Sequence, residues 1–372
     1  MECDRFDVLV MGGGPAGCAA AIELAGAGLS VGIIERARIG SREHAGETLP
    51  PGIAPLLTRL GVWKQFAAQG HRPCFGMQTA WGSGGSNTSS YMVSPYGHGW
   101  HVNRQRLDCL LAERAEALGA TVRRRSRVRQ LESQGAMQWD AVIENGLGWR
   151  SVSSRYLIDA SGRTSPLRNR LGARNHVHDH LVGIGAWFDI IRSAPSDIDC
   201  ALIEATEEGW WYSAPTSQQA RRIAVFMTDL DLLRRGRGSV RAYWQQRLNE
   251  TERLQDLLHG ATQVAPFRTY LASSHQVLQL GQSGWLPAGD ALQSVDPLSG
   301  RGVSSAMQSG IAAAEAVVRL LDGQADATAD YLSSSRRSFG QYLVERLEFY
   351  GMEKRWCRST FWRRRTVGFV PE

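Results

Sequence analysis

Lysine is almost missing from this chain. Lys64 and Lys354 are the two among 42 lysine and arginine residues, so any reaction that needs an amine side chain has two candidates. No stretch approaches the ~18 uninterrupted apolar residues of a membrane-crossing helix, and no membrane span is expected. The six cysteines (3, 18, 74, 109, 200 and 357) show no C-x-x-C and no paired spacing, which suits reduced thiols and a cytoplasmic location. Cys18 reads as a small packing residue. The N-terminus passes through Glu2, Asp4 and Asp7 straight into a first strand, which leaves no room for a signal peptide. Repeats and low-complexity tracts are not evident.

What is present begins with an apolar run at 6–11, short enough for a buried strand, that feeds into Gly12-Gly13-Gly14-Pro15-Ala16-Gly17. Gly12 permits the tight turn, Gly14 admits a pyrophosphate against the backbone, and Gly17 lets the next helix pack on the strand. Pro15 suits the first helical turn, and Gly26 and Gly28 close a helix over 15–28. That helix turns free N–H groups and a positive dipole end toward a diphosphate. A second strand, 31–35, ends on Glu35, 18 residues past Gly17, a spacing that suits hydrogen bonds to a ribose diol. NAD would fit this segment alone. Two later segments favour FAD: Tyr156-Leu-Ile-Asp159-Ala160-Ser-Gly162-Arg163, and Trp285-Leu-Pro-Ala-Gly289-Asp290 followed by Asp296-Pro297-Leu-Ser-Gly300-Arg301-Gly302-Val303. Asp290 can bind a ribityl hydroxyl, and the helix after Gly302, running to about 321, aims its positive end at the flavin N1–C2=O edge.

With these motifs in order, the chain resembles the FAD-dependent oxidoreductases of the p-hydroxybenzoate-hydroxylase fold. More narrowly, it is similar to the branch of tryptophan halogenases, geranylgeranyl-reductase-like enzymes and flavoprotein maturases that build tryptophylquinone cofactors. Four stretches carry the narrower match: Ala45-Gly46-Glu47-Thr48-Leu49-Pro50-Pro51, Val102-Asn-Arg104-Gln-Arg106-Leu-Asp108, Gly209-Trp210-Trp211-Tyr212-Ser-Ala-Pro215, and Tyr350-Gly-Met-Glu-Lys-Arg-Trp356 with Phe361-Trp362. The resemblance implies that Glu47, Thr48 and Arg104 lie against the cofactor. It places 209–215 on the sheet that roofs the isoalloxazine, and makes the last stretch a helical tail known mainly from the maturase-like members. The implied fold is α/β: a Rossmann-like FAD-binding domain, an antiparallel β-sheet substrate domain and a helical C-terminal tail. The FAD-binding domain takes 1–75, 98–180 and 273–325, the substrate domain 76–97 and 181–272, and the C-terminal helices 326–372. Within this frame a helix is expected over 104–119, a small antiparallel meander over 120–154, a returning strand at 155–159 and one helix over 239–258.

The FAD-holding residues assigned are Gly12, Gly14, Pro15, Ala16, Gly17, Glu35, Arg36, Glu47, Thr48, Arg104, Asp159, Ala160, Gly162, Gly289, Asp290, Pro297, Gly300, Gly302 and Val303. Trp210, Tyr212, His98 and Pro297 are the candidates for the reaction itself. Strand alternation puts 210 and 212 on one face and leaves Trp211 to packing. His98, His101 and His71 could each take a phenol or indole proton. His176, His178 and His180 imitate a ligand cluster but lack a further ligand group, so no metal is expected. No second dinucleotide fingerprint exists, because Gly82-Ser-Gly84-Gly85 and Gly236-Arg-Gly238 lack the strand–turn–helix setting. Electrons must then come from NAD(P)H visiting transiently, from a separate flavin reductase, or from the substrate.

The leading expectation is a monooxygenase that hydroxylates an electron-rich aromatic (tryptophan, indole or phenol, free or in a peptide or protein) through a flavin C4a-hydroperoxide. The halogenase alternative is disfavoured, since halogenases of the branch use a lysine between flavin and substrate and 70–77 holds none. A geranylgeranyl-reductase-like reductase would need a long apolar tunnel, whereas Tyr91, Tyr96, Trp100, Trp210 and Tyr212 suit a flat ring. The basic clusters at 123–129 and 354–365 read as a solvated strand and an amphipathic helix in preference to a docking patch. No recognition fold accompanies them, so nucleic acid is not an expected partner.

Overall fold

The computed structural model describes residues 3–38, 48–82, 87–91, 94–135, 137–146, 148–190, 200–217, 220–236 and 238–366. Five parallel strands form its centre, in the order Thr121–Arg123, Val31–Ile34, Cys3–Met11, Gly148–Asp159 and Trp285–Pro287. The apolar runs at 8–10 and 156–158 are buried on both faces of this sheet, as parallel strands covered by helices must be. Helices Pro15–Gly26 and Gly302–Leu321 pack against each other on it.

Two elements differ from the pattern read along the chain. The strand expected at 155–159 is the end of a 12-residue strand, Gly148–Asp159. Its first half pairs antiparallel with Trp139–Asn145, and its second half pairs parallel with Trp285–Pro287. The meander and the parallel sheet are thus one sheet, with Arg127–Ser133 at its edge. The helix expected over 239–258 is two, Val240–Leu248 and Arg253–Leu258. The buried Glu204 carboxylate explains the break, since it accepts from the N–H groups of Glu252, Arg253 and Leu254 at 2.7, 3.3 and 2.9 Å and so starts a new helix there.

The second sheet runs Thr262–Gln263, Leu181–Asp189, Arg221–Asp229, Gly209–Pro215, Ala201–Thr206, Gly76–Ala80 and Asn87–Ser90, with Arg268–Leu271 also on Leu181–Asp189. Its pairings are antiparallel except that of 201–204 with 77–80. Alternation sorts its side chains cleanly. Trp211, Phe226 and Ile184 face Tyr243 and Trp244 of the helix after Ser239. Trp210, Val225 and Ile203 face the other way, against Tyr350, Phe361 and Trp362. The C-terminal helices Ala327–Met352 and Thr360–Thr366 therefore complete this sheet rather than trail from it. Trp362 is fully buried, and its indole donates to the Thr206 carbonyl at 2.9 Å. Burying a side chain of that size contributes roughly 1.5–3 kcal/mol.

Candidate functional site

The three glycine-bearing motifs converge because their strands are neighbours and all end on the same edge. Backbone bonds tie them together: Gly12 N–H to Ile34 O at 2.9 Å, Ala160 N–H to Met11 O at 2.9 Å, and Ala288 N–H to Asp159 O at 2.8 Å. Gly12 has φ +114°, and a Cβ there would stand 2.4 Å from the Ala160 carbonyl oxygen; one on Gly17 would stand 1.9 Å from that of Gly12. Those two glycines are steric necessities of the motif itself. Gly14, Gly162, Gly300 and Gly302 are different, because nothing lies within 4 Å of where their Cβ atoms would be.

Helix starts separate in the same way. Asn103 and Ser239 cap their helices through side chains. Pro15–Gly26 and Gly302–Leu321 have no side-chain cap, so their first-turn N–H groups are left for another acceptor. Pro15 and Ala16 are buried in the first turn of one, and Val303 is buried in that of the other. Glu35 accepts from Gly13 N–H and Ala37 N–H, both at 2.8 Å, which fixes its carboxylate beside the first turn, with Arg36 exposed next to it. Open glycine backbone, two uncapped helix starts and an adjacent acid fit a dinucleotide of FAD's shape.

The remaining assigned residues fall in several places. Asp159 turns its fully buried carboxylate to Ser161 N–H and to the hydroxyls of Ser161 and Ser165, and burial raises its pKa. It thereby shapes the Ala160–Gly162 turn. Asp290 meets Arg163 at 3.2 Å, and Gly289, at φ +60°, would place a Cβ 2.8 Å from that of Ala16. Arg104 bonds Asp108 one helical turn on, at 3.1–3.2 Å. Pro297 and Gly300 are exposed on a short turn whose last residue has φ +62°. Glu47 lies outside the described residues.

Tyr212 and Thr48 are brought together. The Thr48 hydroxyl lies 2.8 Å from the Tyr212 hydroxyl and 2.9 Å from Nδ1 of the buried His101. Trp210 is fully buried, and its indole donates to the Tyr350 hydroxyl at 2.9 Å. That hydroxyl donates in turn to Asp296 Oδ2 at 2.8 Å. Asp296, 1% exposed, also accepts from Leu298 N–H at 2.9 Å and so holds the 297–300 turn. Burial raises its pKa, opposed by Arg346, whose guanidinium lies 3.5 Å from Asp296 and 3.0 Å from Asp179. His98 packs on Trp100 and Phe75, and its Nδ1 lies 2.8 Å from the Gly99 carbonyl. His176 and His178 pack ring to ring at 4.4 Å.

Asp296, Tyr350 and Gly310 were not assigned from sequence, although the first two stand inside quoted motifs. A bond spanning 54 residues has no local signature. A surface cavity of about 440 Å³, lined by Glu207, Glu208, Arg235, Arg247 and Arg358 among others, includes none of the residues assigned to FAD or to the reaction. Replacing Glu35 by alanine should weaken FAD retention roughly tenfold to a hundredfold, the ~1.5–3 kcal/mol of hydrogen bonds to a charged group. Flavin absorbance after gel filtration reads it; full retention would show that the carboxylate serves only its own turn.

The chain matches the FAD binding domain family over residues 5–347. It is 30% identical over 367 residues to the putative FAD-dependent oxidoreductase LodB of Marinomonas mediterranea, covering 97% of each chain. It is also 28% identical to the tryptophan 2-halogenase of Chondromyces crocatus, covering 95% of this chain and 69% of that one. Among solved structures it superposes on the myxobacterial chondrochloren halogenase CndH with a TM-score of 0.89 at 22% identity, covering 98% of this chain and 86% of that one. It superposes on the peptidyl tryptophan dihydroxylase QhpG, essential for tryptophylquinone cofactor biogenesis, with 0.78 at 22% identity, covering 97% and 78%. The three converging motifs, the family match and the full-length relative make this chain a member of the FAD binding domain family of FAD-dependent oxidoreductases.

Proposed function

We propose that this flavoenzyme is a monooxygenase that hydroxylates an electron-rich aromatic ring, a tryptophan or phenol carried in a peptide or protein. The observation that carries the choice is the placement of lysine. Both Lys64 and Lys354 are exposed, so neither lies in an interior path between cofactor and substrate. At Gly76, in the strand after the 70–75 stretch, a Cβ would stand 2.4 Å from the Ser89 carbonyl oxygen, which leaves no room for a side chain. The likeness to a peptidyl tryptophan dihydroxylase supports the substrate class.

The FAD would be held by Gly12, Gly14–Gly17, Glu35, Arg36, Glu47, Thr48, Arg104, Asp159–Gly162, Gly289, Asp290 and Pro297–Val303. When bound, it supplies two-electron reduction and oxygen activation. The protein's own residues do the rest. The uncapped start of Gly302–Leu321 stabilises negative charge beside it. Pro297 and the glycines after it form one wall. The Tyr212 hydroxyl, joined through Thr48 to buried His101, takes up a proton from the substrate ring. Trp210, on the same strand face as Tyr212 and locked by Tyr350, fixes the roof beside it. His98, just before the strand Gly99–His101, is a second proton acceptor. NAD(P)H, visiting transiently, is the electron donor, and a separate flavin reductase is the alternative.

Halogenation is the second reading, favoured by relatives such as the 28%-identical tryptophan 2-halogenase. One experiment separates the two. The protein is reduced, then given oxygen, chloride, bromide and tryptophan-containing peptides, and the products are weighed by mass spectrometry. Gain of oxygen is the expected outcome; replacement of hydrogen by halogen would sink the hydroxylase reading. Anaerobic mixing with NADH or NADPH identifies the donor, with bleaching of the flavin band expected.

A further inference from the structure

We propose that the outward face of the C-terminal tail, from Val344 to Arg363, docks an acidic segment of the peptide or protein substrate. The proposal rests on the hydroxylase reading for its substrate and adds where and by what chemistry that substrate is gripped. Val344, Phe349 and Met352 are 49%, 52% and 55% exposed on the last turns of helix Ala327–Met352. These turns are firmly anchored, since Trp81 donates to the Phe349 carbonyl at 2.9 Å and Tyr350 is fully buried beneath. An apolar strip on a rigid helix end is a mark of an interaction site.

The tail's cations divide into two sets. Arg364 and Arg365 are engaged by Asp229 and Asp231, and Arg355 by Glu353. Lys354, Arg358 and Arg363 are exposed and make no ion pair among the described residues. An exposed apolar strip followed along the tail by these cations without ion pairs, Arg358 of them at the cavity lined by Glu207 and Glu208, matches a segment that alternates large apolar side chains with carboxylates.

Position ties this face to the flavin side. Glu345, one helical turn before Phe349, pairs with Arg301 of the 296–302 loop at 2.6 Å. Val344 is thus next to the residue that meets this loop, and Phe349 follows about one turn, ~5.4 Å of helix, further on. A bilayer could also meet apolar and basic residues together. The pairing of Glu345 with Arg301 puts the strip beside the loop at the proposed flavin site, where a substrate segment has to arrive, and the vesicle arm of the test addresses the lipid alternative.

The test uses the full-length, FAD-loaded protein and a fluorescein-labelled peptide carrying one tryptophan flanked by glutamates, read by anisotropy. A second peptide replaces the glutamates with lysines, and phosphatidylserine–phosphatidylcholine vesicles serve as the lipid probe. The acidic peptide should bind in a salt-sensitive way, and the lysine peptide should bind about tenfold more weakly or not at all. A K354E/R358E/R363E variant that retains FAD should lose about tenfold in acidic-peptide affinity. Equal binding of the two peptides to the unaltered protein would overturn the proposal without any variant needing to fold. Capture by vesicles that the triple variant abolishes would overturn it in favour of lipid. Acidic peptide that binds at this face but gains no oxygen would leave docking standing and sink the hydroxylase reading. Peptide oxygenated with equal kcat/KM by both proteins would do the reverse.

Discussion

Gly310→Ala should strip the protein of most of its FAD and lower its melting temperature by several degrees, an effect far larger than one methyl group ordinarily has. The new Cβ would stand 2.1 Å from the Ala16 carbonyl oxygen, 2.9 Å from its carbon and 3.1 Å from the Ala16 Cα. All three are backbone atoms, so no rotamer change relieves the clash. The helices Pro15–Gly26 and Gly302–Leu321 must separate instead. Overpacking of this kind typically destabilises by ~1–3 kcal/mol. The functional loss is larger because the displaced turn is the one carrying Gly14 to Gly17, and the displaced partner helix starts at the 296–302 loop. Gly340→Ala is the matched control. It lies in the middle of helix Ala327–Met352 with nothing within 4 Å of its added methyl, and should be neutral or stabilise by up to ~1 kcal/mol. Thermal melts and the flavin-to-protein absorbance ratio read both. A Gly310→Ala protein that melts and holds FAD like the unaltered chain would show that the two helices have slack.

Gly310 also shows where reading along a sequence stops. Gly12 and Gly17 are legible because the atoms that forbid their side chains belong to the same turn or to the strand beside it. Gly310 is forbidden a side chain by a residue 294 positions away, and nothing near it in sequence distinguishes it from the alanines around it. The strand alternation of 209–215 foretells that Trp210 and Trp211 part company, because a period of two is local. It does not foretell that Trp210 is met by Tyr350, since that bond spans 140 residues. The split of the helix over 239–258 has the same cause, because the cap that starts the second piece comes from Glu204 on another element. The tail's basic run was legible as charge but not as two sets, since inward and outward arginines differ only in what lies beneath them.

Asp229→Asn should destabilise the protein by ~3–5 kcal/mol at neutral pH, the scale of breaking a buried ion pair from one side. Asp229 and Arg365 have side chains 3% and 1% exposed, with contacts of 2.5 and 3.2 Å, and Arg364 adds a third at 2.8 Å. An amide keeps the shape but leaves the Arg365 guanidinium buried without its counter-charge. The pH dependence gives the prediction a second reading. Burial works to raise the Asp229 pKa, but the hydrogen bonds and charges of Arg365 and Arg364 outweigh it and hold it below the usual carboxylate value. A lowered folded-state pKa contributes stability that is complete above the unfolded value of about 3.9 and is lost as pH falls through the folded one. The gap between the two proteins should therefore be constant from about pH 7 to pH 5 and narrow below about pH 4. Urea unfolding followed by tryptophan fluorescence measures it, since Trp210 and Trp362 lie in the same cluster as Phe361, whose carbonyl Arg365 also holds at 3.0 Å. A gap that does not narrow in acid would mean that the loss comes from packing rather than charge. Replacing both partners, as Asp229→Leu with Arg365→Met, then separates the causes: recovery of most of the stability assigns the effect of Asp229→Asn to the stranded guanidinium, and with it the seating of the tail against the Trp210 face.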